Sequence, residues 1–218
     1  MDTPYSQQQR PLTIGITGGI ASGKSAVARA FETHGIPWVD ADDVAREVVM
    51  PGEPALAEIT DHFGPDVIDA EGQLSRRTLR AIVFRNETER RWLESVTHPR
   101  IRQRLLEHLE SMRASGAPYH LLVSPLLFES GQRELVDRCL VVDVPENVQI
   151  ARTMARDESD EVLAKSIVQA QMPRQQRLAM ADDVIDNQGD HAALIEQVAK
   201  LDARYRDLVT PTSNGRYE

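Results

Sequence analysis

The run Gly18-Gly19-Ile20-Ala21-Ser22-Gly23-Lys24-Ser25 constrains this chain more than any other feature. It fits G-x-x-x-x-G-K-[ST], and it follows Leu12–Thr17 (LTIGIT), which reads as a short buried strand. Val27, Ala30 and Phe31 then recur at helical spacing. Gly18 and Gly23 permit backbone angles closed to other residues, so consecutive amides can curl around α- and β-phosphates at the positive end of a helix. In that setting Lys24 reaches the β- and γ-phosphates and the Ser25 hydroxyl ligates magnesium. A glycine-rich turn that bound nothing would need neither Lys24 nor Ser25. A phosphate-loop fold that binds a nucleoside triphosphate is therefore the expectation.

The rest of the chain alternates short apolar runs with helical text. A helix is expected over 23–34, a strand over 36–39, a helix over 43–49, and strands over 120–123, 139–144 and 184–186. Further helices are expected over 146–157, 159–171 and 191–208, with Met172-Pro173-Arg174 as an interruption. Strands this short and this apolar predict a parallel sheet covered by helices on both faces. Residues 54–113 carry only helical periodicity, as in Leu56, Ile59 and Phe63, or Ile101, Leu105 and Leu109. They read as an all-helical insertion. Within it, His98-Pro99 predicts a break, with Pro99 in the first turn of a helix over 100–112.

Composition narrows the class. The 34 acidic and 25 basic side chains of these 218 residues give a net charge of -9, which argues against a protein that coats nucleic acid. No run approaches the ~18 apolar residues of a membrane span, and the first ten residues lack the apolar core of a signal peptide. Cys139 is alone, so no disulfide framework exists, and a reducing, cytoplasmic setting is expected. Only three of the 25 basic residues are lysines. The arginine excess suits bidentate phosphate grips, and a compositional bias of the genome would produce it equally well.

Among triphosphate users, a GTPase would need an N-K-x-D segment, and the chain has no Asn-Lys pair. Small size, a helical insertion and arginines late in the chain favour a small-molecule kinase. Asp40-Ala41-Asp42 ends the second strand, where a carboxylate either caps the next helix or orients an alcohol and accepts its proton. Arg152 and Arg156, four apart on one helix face, either belong to a solvated charged surface or stabilise the transferring phosphoryl group. Arg174 and Arg177 repeat that choice. His98 and Arg102 either serve the structure or meet an anionic substrate. No Cys/His cluster has zinc spacing.

In order along the chain stand TGGIASGKS, DADDVAREVVMPG, HFG, GQLSRRTLRAIVF, THPRI, PLLFE, CLVVDVP, RTMARD and ADDVIDNQG. With these segments the chain closely resembles the bacterial dephospho-coenzyme A kinases, from about residue 12 to residue 208. The resemblance implies transfer of the ATP γ-phosphoryl group to the ribose 3′-hydroxyl of dephospho-coenzyme A, with ATP and Mg2+ and no membrane or nucleic-acid partner. A monomer or a weak homo-oligomer is expected. The resemblance also implies three parts: a nucleotide core (12–50, 119–149, 183–208), a helical coenzyme A-binding domain (51–118) and a lid (150–182). Arginines around a Pro-interrupted helical stretch with few large apolar residues predict that Arg152 and about 157–180 are mobile without ligand and ordered when both substrates bind. Residues 1–11 and 209–218 are expected to be disordered.

Carried over residue by residue, the loop Gly18, Gly19, Ile20, Ala21, Ser22, Gly23, Lys24 and Ser25 matches the family's ATP site. Asp42 matches its base, and Arg152 its lid arginine beside the phosphates. Arg76, His98 and Glu129 fall in substrate-side segments, and Asn187 in the segment near the adenine. Ala21 stands where the family often has glycine, and Ser124 where it often has an apolar or acidic residue. Two other readings share the loop: a nucleoside monophosphate kinase, which would prefer a phosphate acceptor, and a non-catalytic nucleotide-binding regulator, which would need no base at Asp42.

Overall fold

The structure, a computed structural model, describes residues 10–210. Residues 1–9 and 211–218, which hold most of the two expected disordered ends, lie outside them. In chain order the elements are β1 (Leu12–Thr17), α1 (Lys24–Glu32), β2 (Trp38–Asp40), α2 (Ala41–Glu47), α3 (Pro54–Phe63), α4 (Arg76–Arg85), α5 (Glu87–Ala114), β3 (Tyr119–Val123), β4 (Arg138–Asp143), α6 (Glu146–Asp157), α7 (Glu161–Gln169), α8 (Arg174–Ala179), β5 (Asp183–Asp186) and α9 (His191–Val209). The chain divides into two compact units, Val39–His108 and the remainder.

The expected sheet has the order β2-β3-β1-β4-β5, and all of its strands but β2 lie wholly in the larger unit. β1 is central and runs parallel to β3 (Leu12 beside Tyr119) and to β4 (Thr17 beside Val141), and β5 runs parallel to β4. A strand flanked on both edges and covered on both faces can carry only small or apolar side chains, which is why β1 reads LTIGIT. Val27, Ala28 and Phe31 of α1 bury against Ile14, Ile16, Leu121 and Tyr119, and Val198 and Tyr205 of α9 close the same cluster. Phe31 stacks on Tyr205 at 6.2 Å and meets Tyr119 edge-on at 6.3 Å. Each such large side chain contributes about 2 kcal/mol through burial. Cys139 is fully buried on β4, and burial pushes its thiol up to about 11, so it is chemically quiet.

The helical unit has a separate core, in which Val48, Val49, Ala55, Ile59, Val67, Leu79 and Val96 are buried. Val48 and Val49, directly after α2, belong to this core. Here the expected break at His98-Pro99 is corrected: α5 runs unbroken through Pro99. Trp92, Leu93, Val96 and Ile101 pack on one side of it, while Ser95, His98 and Pro99 face solvent. Water can therefore satisfy the carbonyl that loses its partner, and burial on both sides of the proline outweighs the local preference for a break. Two boundaries moved for capping reasons. Asp40 caps α2 by accepting from the Asp42 amide at 2.8 Å, and Asp160 caps α7 by accepting from the Leu163 amide at 2.8 Å.

The β5–α9 end is held by Asp183, whose side chain is 2% exposed and pairs with Arg138 Nε at 3.1 Å, with Arg204 and with the Tyr205 hydroxyl at 3.1 Å. Burial, then the adjacent carboxylate, pushes the Tyr205 phenol far up, so it stays a donor. Asp183→Ala leaves these donors facing a hole, and because Arg204 is half exposed the cost is expected at about 2–3 kcal/mol rather than more. Urea unfolding of the variant should show that loss as a lower midpoint at an unchanged slope.

Candidate functional site

The phosphate loop lies between the end of β1 and the start of α1, and Gly18, Gly19, Ile20, Ser22 and Gly23 meet groups from outside it. Gly23 adopts φ 94 and ψ 26, a left-handed conformation that costs glycine nothing, and it serves as the N-cap of α1. A Cβ on Gly23 would run into the Asn187 side chain, and one on Gly19 would sit 2.6 Å from the Gln149 amide group. Ser22 N–H donates to Gly19 O at 3.2 Å and closes the turn. Lys24 opens α1, and its Nζ donates to the Gly18 and Gly19 carbonyls at 3.1 Å each, so the ammonium lies across the mouth of the loop. Ser25, at the second helical position, is exposed. Ala21 takes a positive φ of 54, which is why glycine suits this position and alanine is mildly strained.

Around the loop, a chain of polar contacts joins distant segments. Asn187, just past β5, donates from Nδ2 to Ser22 O at 2.7 Å and from its backbone amide to Asp143 O at 2.9 Å. Its carbonyl accepts from Arg152 Nη2 at 2.9 Å. Gln171, between α7 and α8, accepts from the Ile20 amide at 2.8 Å. Arg174 grips the Asp143 carboxylate with two bonds, at 2.8 and 2.6 Å. On α6, Gln149 is 2% exposed and donates to Val144 O at 3.2 Å.

The fold thus gathers the loop, Arg152 and Asn187, which stand far apart in sequence. The other arginines take different places: Arg156 pairs with Asp157 next to it, and Arg177 is buried and donates to Met172 O at 2.7 Å. Glu129 is exposed in the turn after β3, and the buried Ser124 donates its amide to Ile16 O at 2.9 Å. Gln149, Gln171 and Asp143 escaped the sequence reading, and Arg174, a candidate there for the phosphates, instead holds Asp143. Gly19 was the available hint, since a second glycine in the loop implies a close neighbour.

The helical unit holds Asp42, Arg76, His98 and Arg102. Asp42 is exposed in the first turn of α2, and the side chain that caps this helix is that of Asp40. Arg76 is exposed at the rim of a cleft of about 340 Å3 lined by Val49, Leu74, Leu79, Val83, Leu93 and Ile101, with Arg80 and Thr97 at its edge. His98 and Arg102 lie on the exposed side of α5 and do not line it. No helix among the described residues is long and apolar enough to cross a membrane, and none of their His, Cys, Asp and Glu side chains form a metal-binding group of three.

A sequence model of the dephospho-CoA kinase family matches residues 12–193. The dephospho-CoA kinase of Hahella chejuensis is 51% identical over 201 residues, which cover 92% of this chain and 95% of that protein. That of Vibrio vulnificus is 48% identical over 195 residues, 89% of this chain and 95% of its own. Among solved structures, dephospho-CoA kinase from Campylobacter jejuni superposes with a TM-score of 0.71 at 26% identity, covering 91% of this chain and 98% of that one. A Thermus thermophilus protein reaches 0.78 at 33% identity, covering 90% and 98%. Shikimate kinase from Bacteroides thetaiotaomicron shares the fold at 0.52, with 15% identity over 88% of this chain and 97% of that one.

Two loop substitutions should move stability in opposite directions. Gly23→Ala meets both a left-handed φ and the Asn187 side chain, and should cost about 1–2 kcal/mol. Ala21→Gly relieves a positive φ, and thermal unfolding should show a midpoint equal to or slightly above that of the natural chain.

Proposed function

The chain belongs to the dephospho-CoA kinase family, and on that footing we propose how its own residues divide the labour of the last step of coenzyme A synthesis. ATP is the phosphoryl donor. The phosphate loop holds its β- and γ-phosphates with amides preset by outside contacts, and Lys24 leaves the Gly18 and Gly19 carbonyls to meet the phosphate oxygens. Asn187 orders the segment on the adenine side of the loop. Arg152 hydrogen-bonds through Asn187 to the loop carbonyl of Ser22, and this is the observation that carries the assignment. It attaches a guanidinium on α6 to the loop itself, where charge develops on the equatorial oxygens during transfer.

The acceptor is dephospho-coenzyme A, and its ribose 3′-hydroxyl attacks the γ-phosphorus while ADP leaves. The proton passes to the Asp42 carboxylate, which Asp40 has relieved of capping. The helical unit is the acceptor domain. Its apolar cleft suits a long uncharged arm, and Arg76 at the rim suits the anionic part of the acceptor. His98, Arg102 and Glu129 are assigned to the outer part of the acceptor site. Residues 150–182 form the lid, whose closure excludes water from the γ-phosphate.

Magnesium fits the donor set, which offers the exposed Ser25 hydroxyl and, among the described residues, no carboxylate cage. Mg2+ commonly takes few protein ligands, completing its shell with water and nucleotide oxygens, and it supplies charge neutralisation when bound. A single quiet cysteine suits a reducing compartment, the cytoplasm. The chain itself is assigned as a monomer or weak homo-oligomer.

Steady-state turnover of ATP with dephospho-coenzyme A, against nucleoside monophosphates as alternative acceptors, tests the reading, and a preference for the monophosphates would overturn it. Lys24→Ala should abolish turnover with little change in the thermal midpoint. Near-natural activity in that variant would count against the loop assignment. Asp42→Asn should lower kcat roughly 10²-fold or more with the KM for ATP little changed.

A further inference from the structure

The phosphate loop is held from outside at several points, and most of these supports come from β4, from the buried Gln149 of α6 or from Asn187 directly after β5. Gly18 backs onto the Val142 carbonyl of β4, Gly19 onto the buried Gln149, and Ser22 O onto Asn187 at the end of β5. One support differs. The Ile20 amide donates to Gln171 Oε1 across 151 positions of sequence, and Gln171 is a half-buried residue in the joint between α7 and α8.

That joint is itself fixed immediately downstream. Arg174 holds the Asp143 carboxylate at the end of β4, and Arg177 Nη2 returns to the Met172 carbonyl at 2.7 Å. Upstream, α7 presents exposed Val162 and Leu163 and buries only Ala164 and Val168. Gln171 therefore stands where a lightly packed helix meets a well-held turn, and its side-chain oxygen reaches from there to a main-chain amide of the loop. A side chain at such a joint transmits the position of the joint to whatever it touches. Here it touches a loop whose amides must already point at the phosphates before the nucleotide arrives, because misplacement by a fraction of an ångström weakens every interaction with developing charge.

We infer that Gln171 is a positioning residue for phosphoryl transfer, which sets the Ile20 segment of the phosphate loop according to the placement of the α7–α8 joint. The inference rests on the kinase reading above and adds a residue to it. Gln171 acts through the loop and not on the reacting atoms. Its essential property is a neutral acceptor at that reach, since a carboxylate would preserve the hydrogen bond and repel the triphosphate.

The test uses the full chain and two variants, Gln171→Ala and Gln171→Glu, with steady-state kinetics, thermal midpoints and hydrogen exchange of the peptide covering residues 18–23 without nucleotide. Gln171→Ala should lower kcat roughly ten- to a hundredfold with the midpoint within about 2 °C of the natural chain, and should speed exchange of the loop peptide about tenfold. Gln171→Glu should restore loop protection and bring kcat to within about threefold of the natural value, while the KM for ATP rises about tenfold. Natural kcat and natural loop protection in Gln171→Ala would overturn the inference, as would losses in both variants that merely follow the midpoint. A natural chain that fails to turn over dephospho-coenzyme A would overturn the kinase reading alone, and the exchange measurement would still decide whether Gln171 sets the loop.

Discussion

A turn that binds phosphate through its backbone must hold several N–H groups converged on one point, and that is a conformation the chain would not keep unaided. Unsatisfied donors are costly, and the left-handed angles at Ala21 and Gly23 are not chosen by local preference alone. The rest of the larger unit can be understood as the means of holding that turn. β1 delivers it from the centre of the sheet and α1 carries it away. Val142, Gln149, Asn187 and Gln171 then stop it from relaxing.

The support is polar near the loop and apolar beneath it, and the division has a reason. Apolar packing is strong but non-directional, so it can fix α1 on the sheet through Val27, Ala28 and Phe31 without choosing the orientation of an amide. Hydrogen bonds are individually weak and directional, so they set the orientation. Asn187 shows the economy of this arrangement. One residue uses its side chain on Ser22 O, its amide on Asp143 O and its carbonyl on Arg152, and so ties β4, β5, α6 and the loop at a single point. The helical unit is organised differently, around an apolar cluster and a cleft, with its charged candidates on the outside.

Much of this was legible in the chain itself. G-x-x-x-x-G-K-[ST] between a β-branched run and a helical period specifies a phosphate loop because few other uses exist for a lysine and a serine after such glycines. The inner strands were legible because burial on both faces leaves mostly apolar residues available, whereas β5 buries only Asp183 and Ile185. Asp42 was identified as a candidate, but its freedom from capping was not, since Asp40 and Asp42 offer the same chemistry and only the actual start of α2 separates them. Pro99 misled because the local cost of proline is the same on either face of a helix, whereas its tolerance depends on which face meets water.

Sequence alone therefore determined the class of fold, the loop and the order of the elements, because these follow from local backbone preference and from the period of apolar residues. The tertiary structure decided which polar side chains hold the loop. Gln149, Gln171 and Asp143 carry no periodic signal and are ordinary in their own stretches of chain, and Arg174 stood out as an arginine without its partner being legible. They matter only because folding brings them within hydrogen-bond reach of groups more than a few residues away, and a contact between distant segments has no trace in the local pattern of either.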